Sequence, residues 1–366
     1  MYYLQAILLA TASIFFAQRK GRLSGLIAAT IFIWLVGVSL IYWRYGPIGQ
    51  WSFYQNDQYF HWRLVDYFIP TEFNLTFDRL NFLRLPYAGP AFLLSQVGID
   101  PTLALKFVSL TCALGNFGLL ERFLQNNSQT KVTTLALWMF AGPITIFFSV
   151  LALRETMMIL CVTYLFLGSS HFYKSVSLLT LVVLRPHLAA AIVFGLCWSW
   201  LLRKVPIRLH LISVIATAII PIYVGTVGFS IGNYVIYRLP LRLYEDLFQK
   251  DQVIQIFSAF LGLQFLTVAY QTVEFSTRSI LLIRLIFPEI VFIPLLFSIS
   301  CLFATPRTTR LKLSVLATFV FFMSVSSGTE YISVRQSLPI MGVMGVTALI
   351  SFSQARSEKT GADQLI

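Results

Sequence analysis

The chain has 366 residues, of which 57% are hydrophobic and 11% charged, with a mean hydropathy of +0.76. Soluble domains carry about 25% charged residues; here the apolar residues come in long runs, which excludes a soluble globular protein and indicates a polytopic membrane protein. The net charge of +12 does not point to nucleic acid, because the basic residues lie in short loops between apolar runs, as the positive-inside rule demands.

In chain order, the apolar runs predict spans over 2–17, 24–43, 101–121, 132–151, 156–172, 175–184, 188–202, 209–229, 289–304, 313–329 and 336–353. That is about eleven crossings in an all-α transmembrane bundle. The first run, MYYLQAILLATASIFFA, lacks the basic start of a signal peptide and reads as a span. The connectors QRKGR, ERFLQNNSQTK, HFYKS, RKVPIR and PRTTRLK and the tail ARSEKTGADQLI hold fourteen Lys/Arg against three acids. They are therefore read as cytoplasmic, with the N-terminus outside and the C-terminus inside. On that topology all of the fifteen Asp and Glu except Glu121, Glu358 and Asp363 face outward or sit at the outer interface. The expected setting is a bacterial cytoplasmic membrane.

The chain reads as one integral membrane domain, 1–366, with two long external segments at 44–100 and 230–288. Within the first, 86–98 is apolar but too short to span, and is expected in the interface. The second contains LRLYEDLFQKDQVIQIFSAFLGLQFL, an amphipathic or re-entrant helical pair at the outer surface. The run 175–202 is interrupted by Arg185-Pro186-His187. It forms either two short helices or one broken helix, and both readings place Arg185 at a polar cavity rather than in lipid. Cys112, Cys161, Cys197 and Cys301 all lie in apolar runs. They suggest neither a disulfide framework nor zinc, and the four scattered histidines suggest no other metal.

Three constellations carry possible chemistry. Asp57 lies in QNDQYFHWRLVDYF. If 57–68 is helical, Asp57 and His61 are one turn apart, as are Arg63 and Asp66. A carboxylate there can act as general base on an acceptor hydroxyl; the plainer alternative is an interfacial acid paired with Arg63. Arg154-Glu155 separates two strongly apolar runs, where a small polar turn would connect helices more cheaply. It is either a structural ion pair or a site. Arg185, Arg284 and Arg335 each end an apolar run on the outer side. Together they fit recognition of a phosphate by planar forks; singly each fits snorkelling to lipid headgroups. Lys250 and Lys106 are the outer lysines on this reading. Glu289, after Pro288, reads as an ordinary helix start.

The order of these features resembles GT-C-type membrane glycosyltransferases. The resemblance lies in NDQYFHWRL after an early span, RLPYAGPAFLLSQVGIDPTLALKFVSL, FAGPITIFFSVLALRETMM and YISVRQSLPIMGV. The chain departs from the family in having no paired acids beside Asp57, an extra N-terminal span and no soluble C-terminal domain. The resemblance implies a polyprenyl-phosphate-linked sugar donor, a glycan or lipid-linked acceptor, and an inverting transfer at the outer face. Asp57 would then be the base, Glu155 would orient a substrate, and Arg185, Arg284 and Arg335 would hold the lipid phosphate, with His61, Arg63 and Arg154 beside them. No cofactor is indicated. Polysaccharide polymerases also carry arginine-bearing outer loops, and LRETMM and VVLRPHLA fit them too. A transporter or flippase would instead need charges near the midplane and internal symmetry. A non-catalytic scaffold would not need these charges at span ends.

Overall fold

The computed structural model describes residues 1–20, 24–46, 61–62, 65, 85–127, 134–227, 289–305, 308–327 and 334–362. The described chain is helical. In order its helices are α1 (Tyr2–Arg19), α2 (Gly25–Tyr45), α3 (Leu85–Gln96), α4 (Pro101–Asn127), α5 (Thr134–Val150), α6 (Glu155–Leu167), α7 (His171–Leu184), α8 (Pro186–Leu201), α9 (His210–Val227), α10 (Glu289–Cys301), α11 (Thr309–Ser327) and α12 (Val334–Ala362). Among the described residues, four segments are long and apolar enough to cross a membrane: Gly25–Arg44, Pro101–Asn126, Pro186–Lys204 and Leu338–Ala355. Glu155–Leu167, His171–Leu184, Ile207–Pro221 and Phe292–Cys301 are apolar but shorter. Large apolar side chains face outward, among them Phe15 and Phe16 of α1, Phe32 and Trp43 of α2, and Ile212 and Ile219 of α9. Such surfaces are stable against lipid rather than water.

The chain divides into two compact units. Met1–Phe123 and Thr133–Pro186 make the first; Leu124–Val132 and His187–Ile366 make the second.

In the first unit α1 packs along α2. Tyr2, at the start of α1, stacks on Tyr42, near the end of α2, with ring centroids 3.9 Å apart, so the two helices run antiparallel. Gln5 fastens α1 to the turn before α4. Its amide donates to the Gly98 carbonyl at 2.8 Å and its oxygen accepts from the Asp100 amide at 3.0 Å. Gly98 has a φ of +87°, a conformation L side chains rarely adopt. Asp100 then caps α4, with Oδ1 accepting from the Thr102 and Leu103 amides at 3.0 Å each. Trp34, fully buried on α2, donates its indole N–H to the carbonyls of Lys106 and Ser149 at 3.2 and 3.1 Å. One side chain thus ties α2 to α4 and α5.

The short segment 85–96 is helical and buries Tyr87, Ala88 and Ala91, so this stretch packs on protein along that face. At 175–202 the outcome is two helices. α7 ends at Leu184, Arg185 is extended with φ −160° and ψ 80°, and α8 resumes at Pro186, whose missing N–H costs nothing in a first turn.

In the second unit α9 packs on α11, α10 on α12, and α11 on α12. Phe194 of α8 stacks on Phe321 of α11 with centroids 4.6 Å apart. Trp198 of α8 donates to the Thr217 hydroxyl of α9 at 2.7 Å. Lys312, expected in a cytoplasmic connector, is instead fully buried in the first turn of α11. Its ammonium donates to the Ser300 carbonyl at 3.0 Å, to the Phe303 carbonyl, and to the Thr305 hydroxyl at 2.8 Å. A cation at the carbonyl end of α10 also complements that helix's dipole.

Gly195 lets α8 approach α11. A Cβ there would lie 2.5 Å from the Ser314 carbonyl oxygen and closer still to the Thr318 hydroxyl. Backbone cannot move aside cheaply, so Gly195→Ala is expected to destabilise the second unit by about 3 kcal/mol. Gly25→Ala, with open space around it, should be neutral or stabilising. Unfolding of the two variants in detergent checks the contrast.

Candidate functional site

The helix break between α5 and α6 is where the sequence-predicted charges meet structure. Leu151, Ala152 and Leu153 form the connection and are each buried. Arg154 follows with helical dihedrals, φ −74° and ψ −4°, and the Met158 amide bonds back to its carbonyl at 3.2 Å. Glu155 is therefore the first residue of α6. It is only 1% exposed. A carboxylate in a first turn is favoured by the helix dipole, but burial of one beside apolar spans is costly and marks a site candidate.

The connection is held from α4. Ser109 is fully buried, and its hydroxyl lies 3.3 Å from the Leu151 carbonyl and 3.1 Å from that of Leu153. Tyr87 of α3 shares a 2.8 Å hydrogen bond with the same hydroxyl and reaches the Leu105 carbonyl at 3.1 Å. Burial pushes the Tyr87 phenol well above its ordinary value; the Ser109 bond opposes this, and the nearby Cys112 and Glu155 add to it. Tyr87 is thus a neutral hydrogen-bonding group throughout the physiological range. His61, itself 2% exposed, meets the Tyr87 ring edge-on with centroids 5.1 Å apart. So Tyr87, Ser109 and the Leu151 and Leu153 carbonyls form one buried hydrogen-bonded chain at the connection before Glu155, with His61 packed edge-on against Tyr87.

Arg154 points to the end of α7. Its Nη1 donates to the Leu184 carbonyl at 3.0 Å, one of the acceptors that a helix C-terminus leaves without an intrahelical donor. Arg185 is the next residue, and its own amide closes α7 by bonding to the Leu181 carbonyl at 2.7 Å. The LRE and LRPH segments, thirty residues apart in the chain, are joined directly.

Of the sequence-predicted set, His61, Arg154, Glu155 and Arg185 fall in the first unit. Arg335 lies in the first turn of α12, and its side chain is outside the described residues. Asp57, Arg63 and Arg284 are outside the described residues altogether, as are the i,i+4 and i,i+3 pairings expected over 57–68. Lys106, read as an outer lysine, lies fully buried in the second turn of α4.

Sequence reasoning missed Tyr87, Ser109 and Thr156, the last fully buried beside Glu155. A signal existed for Ser109. Thr102, Lys106, Ser109 and Asn116 recur at helical spacing along an otherwise apolar run, and a polar stripe on one face of a span is a pattern of its own.

Compared with known proteins, the chain matches no family model, no curated protein sequence and no solved structure.

Proposed function

We propose that this chain is a GT-C-like membrane glycosyltransferase with about eleven crossings, its N-terminus outside and its C-terminus in the cytoplasm of a bacterial cell. It would move a sugar from a polyprenyl-phosphate donor to a glycan, lipid or protein acceptor on the outer face. The observation that carries the reading is the buried Glu155 at a helix start, where the connection just before it accepts a hydrogen bond from Ser109, itself bonded to Tyr87. Rigid support of a charged group is what a catalytic constellation needs, since misplacement of about 1 Å is costly.

In the proposed reaction Asp57 removes the proton from an acceptor hydroxyl as its oxygen attacks the anomeric carbon. The bond from that carbon to the phosphate oxygen breaks, and the electron pair leaves with the polyprenyl phosphate. Arg185, Arg284 and Arg335 stabilise that leaving group, and Glu155 orients a substrate hydroxyl. A second reading, a polysaccharide polymerase, is favoured by one observation: the Arg154 hydrogen bond to Leu184 joins the two arginine-bearing segments LRE and LRPH.

The test is mass spectrometry of surface and lipid-linked glycans in a deletion strain complemented with wild type or Asp57→Asn. Loss of one sugar mass, restored by wild type and not by Asp57→Asn, is the expected result. Collapse of a length ladder to single repeats would assign the polymerase reading. An unchanged profile would reject both.

A further inference from the structure

We infer that Lys106 and Thr102 form a buried phosphate-binding site in the first unit, a role that stands whether or not the chain transfers sugar. The molecule carries its own comparison. Its described residues include two lysines with no exposed surface, Lys106 and Lys312. Lys312 directs its ammonium to three protein oxygens, on Ser300, Phe303 and Thr305. That is a saturated, structural lysine. The Lys106 ammonium has no hydrogen-bond partner among the described residues, nor has the Thr102 hydroxyl.

The two groups belong together. Thr102 and Lys106 are one turn apart on α4 and so share a face. Their helix is fixed at this point, because the Lys106 carbonyl accepts from the Trp34 indole and the Thr102 amide is held by Asp100. Asp100, two residues before Thr102, uses Oδ1 to cap α4. An ammonium offers three donors and no acceptor. Together with the threonine hydroxyl on the same helix face it makes four donors. A tetrahedral oxyanion supplies more acceptor oxygens than a carboxylate does, and lysine is a common phosphate ligand as a point charge. Phosphate can come from a lipid headgroup or from solution.

The test uses the full chain in phosphatidylcholine nanodiscs. One arm adds phosphatidic acid to the bilayer; the other adds inorganic phosphate to the buffer. Thermal unfolding midpoints are followed, with native mass spectrometry for retained phospholipid. The expected result is a rise in midpoint for wild type, with apparent affinity at least about tenfold weaker in Lys106→Met and partly retained in Lys106→Arg. A rise with phosphatidic acid only assigns a lipid ligand; a rise with both assigns the phosphate group alone. Thr102→Val removes a donor without altering charge, and should weaken the response even if Lys106→Met fails to fold. The proposal is overturned if wild type responds to neither probe, or if Thr102→Val and the folded Lys106 variants respond as wild type does.

Discussion

If the chain transfers sugar as proposed, Glu155→Gln is expected to lower that transfer by about 10²-fold, the cost of a misplaced substrate, while leaving membrane insertion intact. Gln keeps the shape and removes the charge, so the α5–α6 connection, held by Ser109, should persist. The competing account is that Glu155 only complements the dipole of α6. On that account the substitution costs stability, about 0.3–1 kcal/mol, and leaves the glycan profile unchanged. Measuring glycan product and unfolding on the same variant separates the two. Normal product with a lowered midpoint would remove Glu155 from the chemistry.

Arg154→Ala should have the largest structural effect at the site. It deletes a charged hydrogen bond to the terminal carbonyl of α7, worth about 1.5–3 kcal/mol. It also frees the residue next to Arg185, so product should fall as well. Arg154→Lys keeps the charge but loses the fork's reach and geometry, and should recover stability more than activity. If Arg154→Ala unfolds like wild type and transfers normally, the join between LRE and LRPH has no role.

Part of this site could be read in the linear chain. Arg154-Glu155 stands out because nothing apolar requires two charges between spans, and Arg185-Pro186 suggests a break because proline disfavours helical dihedrals in the residue before it. Their relationship could not be read. The bond from Arg154 to Leu184 depends on α7 packing beside α6, and hydropathy carries no information about which helices are neighbours. Lys312 shows the same limit. Its basic, polar surroundings resemble a cytoplasmic loop, yet the carbonyl end of α10 supplies acceptors that make burial tolerable. Lys106 is fully buried as well, which its place near the start of an apolar run did not announce.

By itself the sequence determined that the protein is helical and membrane-embedded, because long apolar runs satisfy their backbone only as helices in lipid. It marked the break at Arg185-Pro186, but not every proline breaks a helix here: Pro90, Pro143, Pro221, Pro294 and Pro339 lie inside helices that continue through them. Only the tertiary structure decided which polar groups meet. Ser109 against the Leu153 carbonyl, Tyr87 against Ser109, and Arg154 against Leu184 are contacts between helices. Such contacts follow from which face each helix turns to its neighbours, and that choice is made by packing across the whole unit.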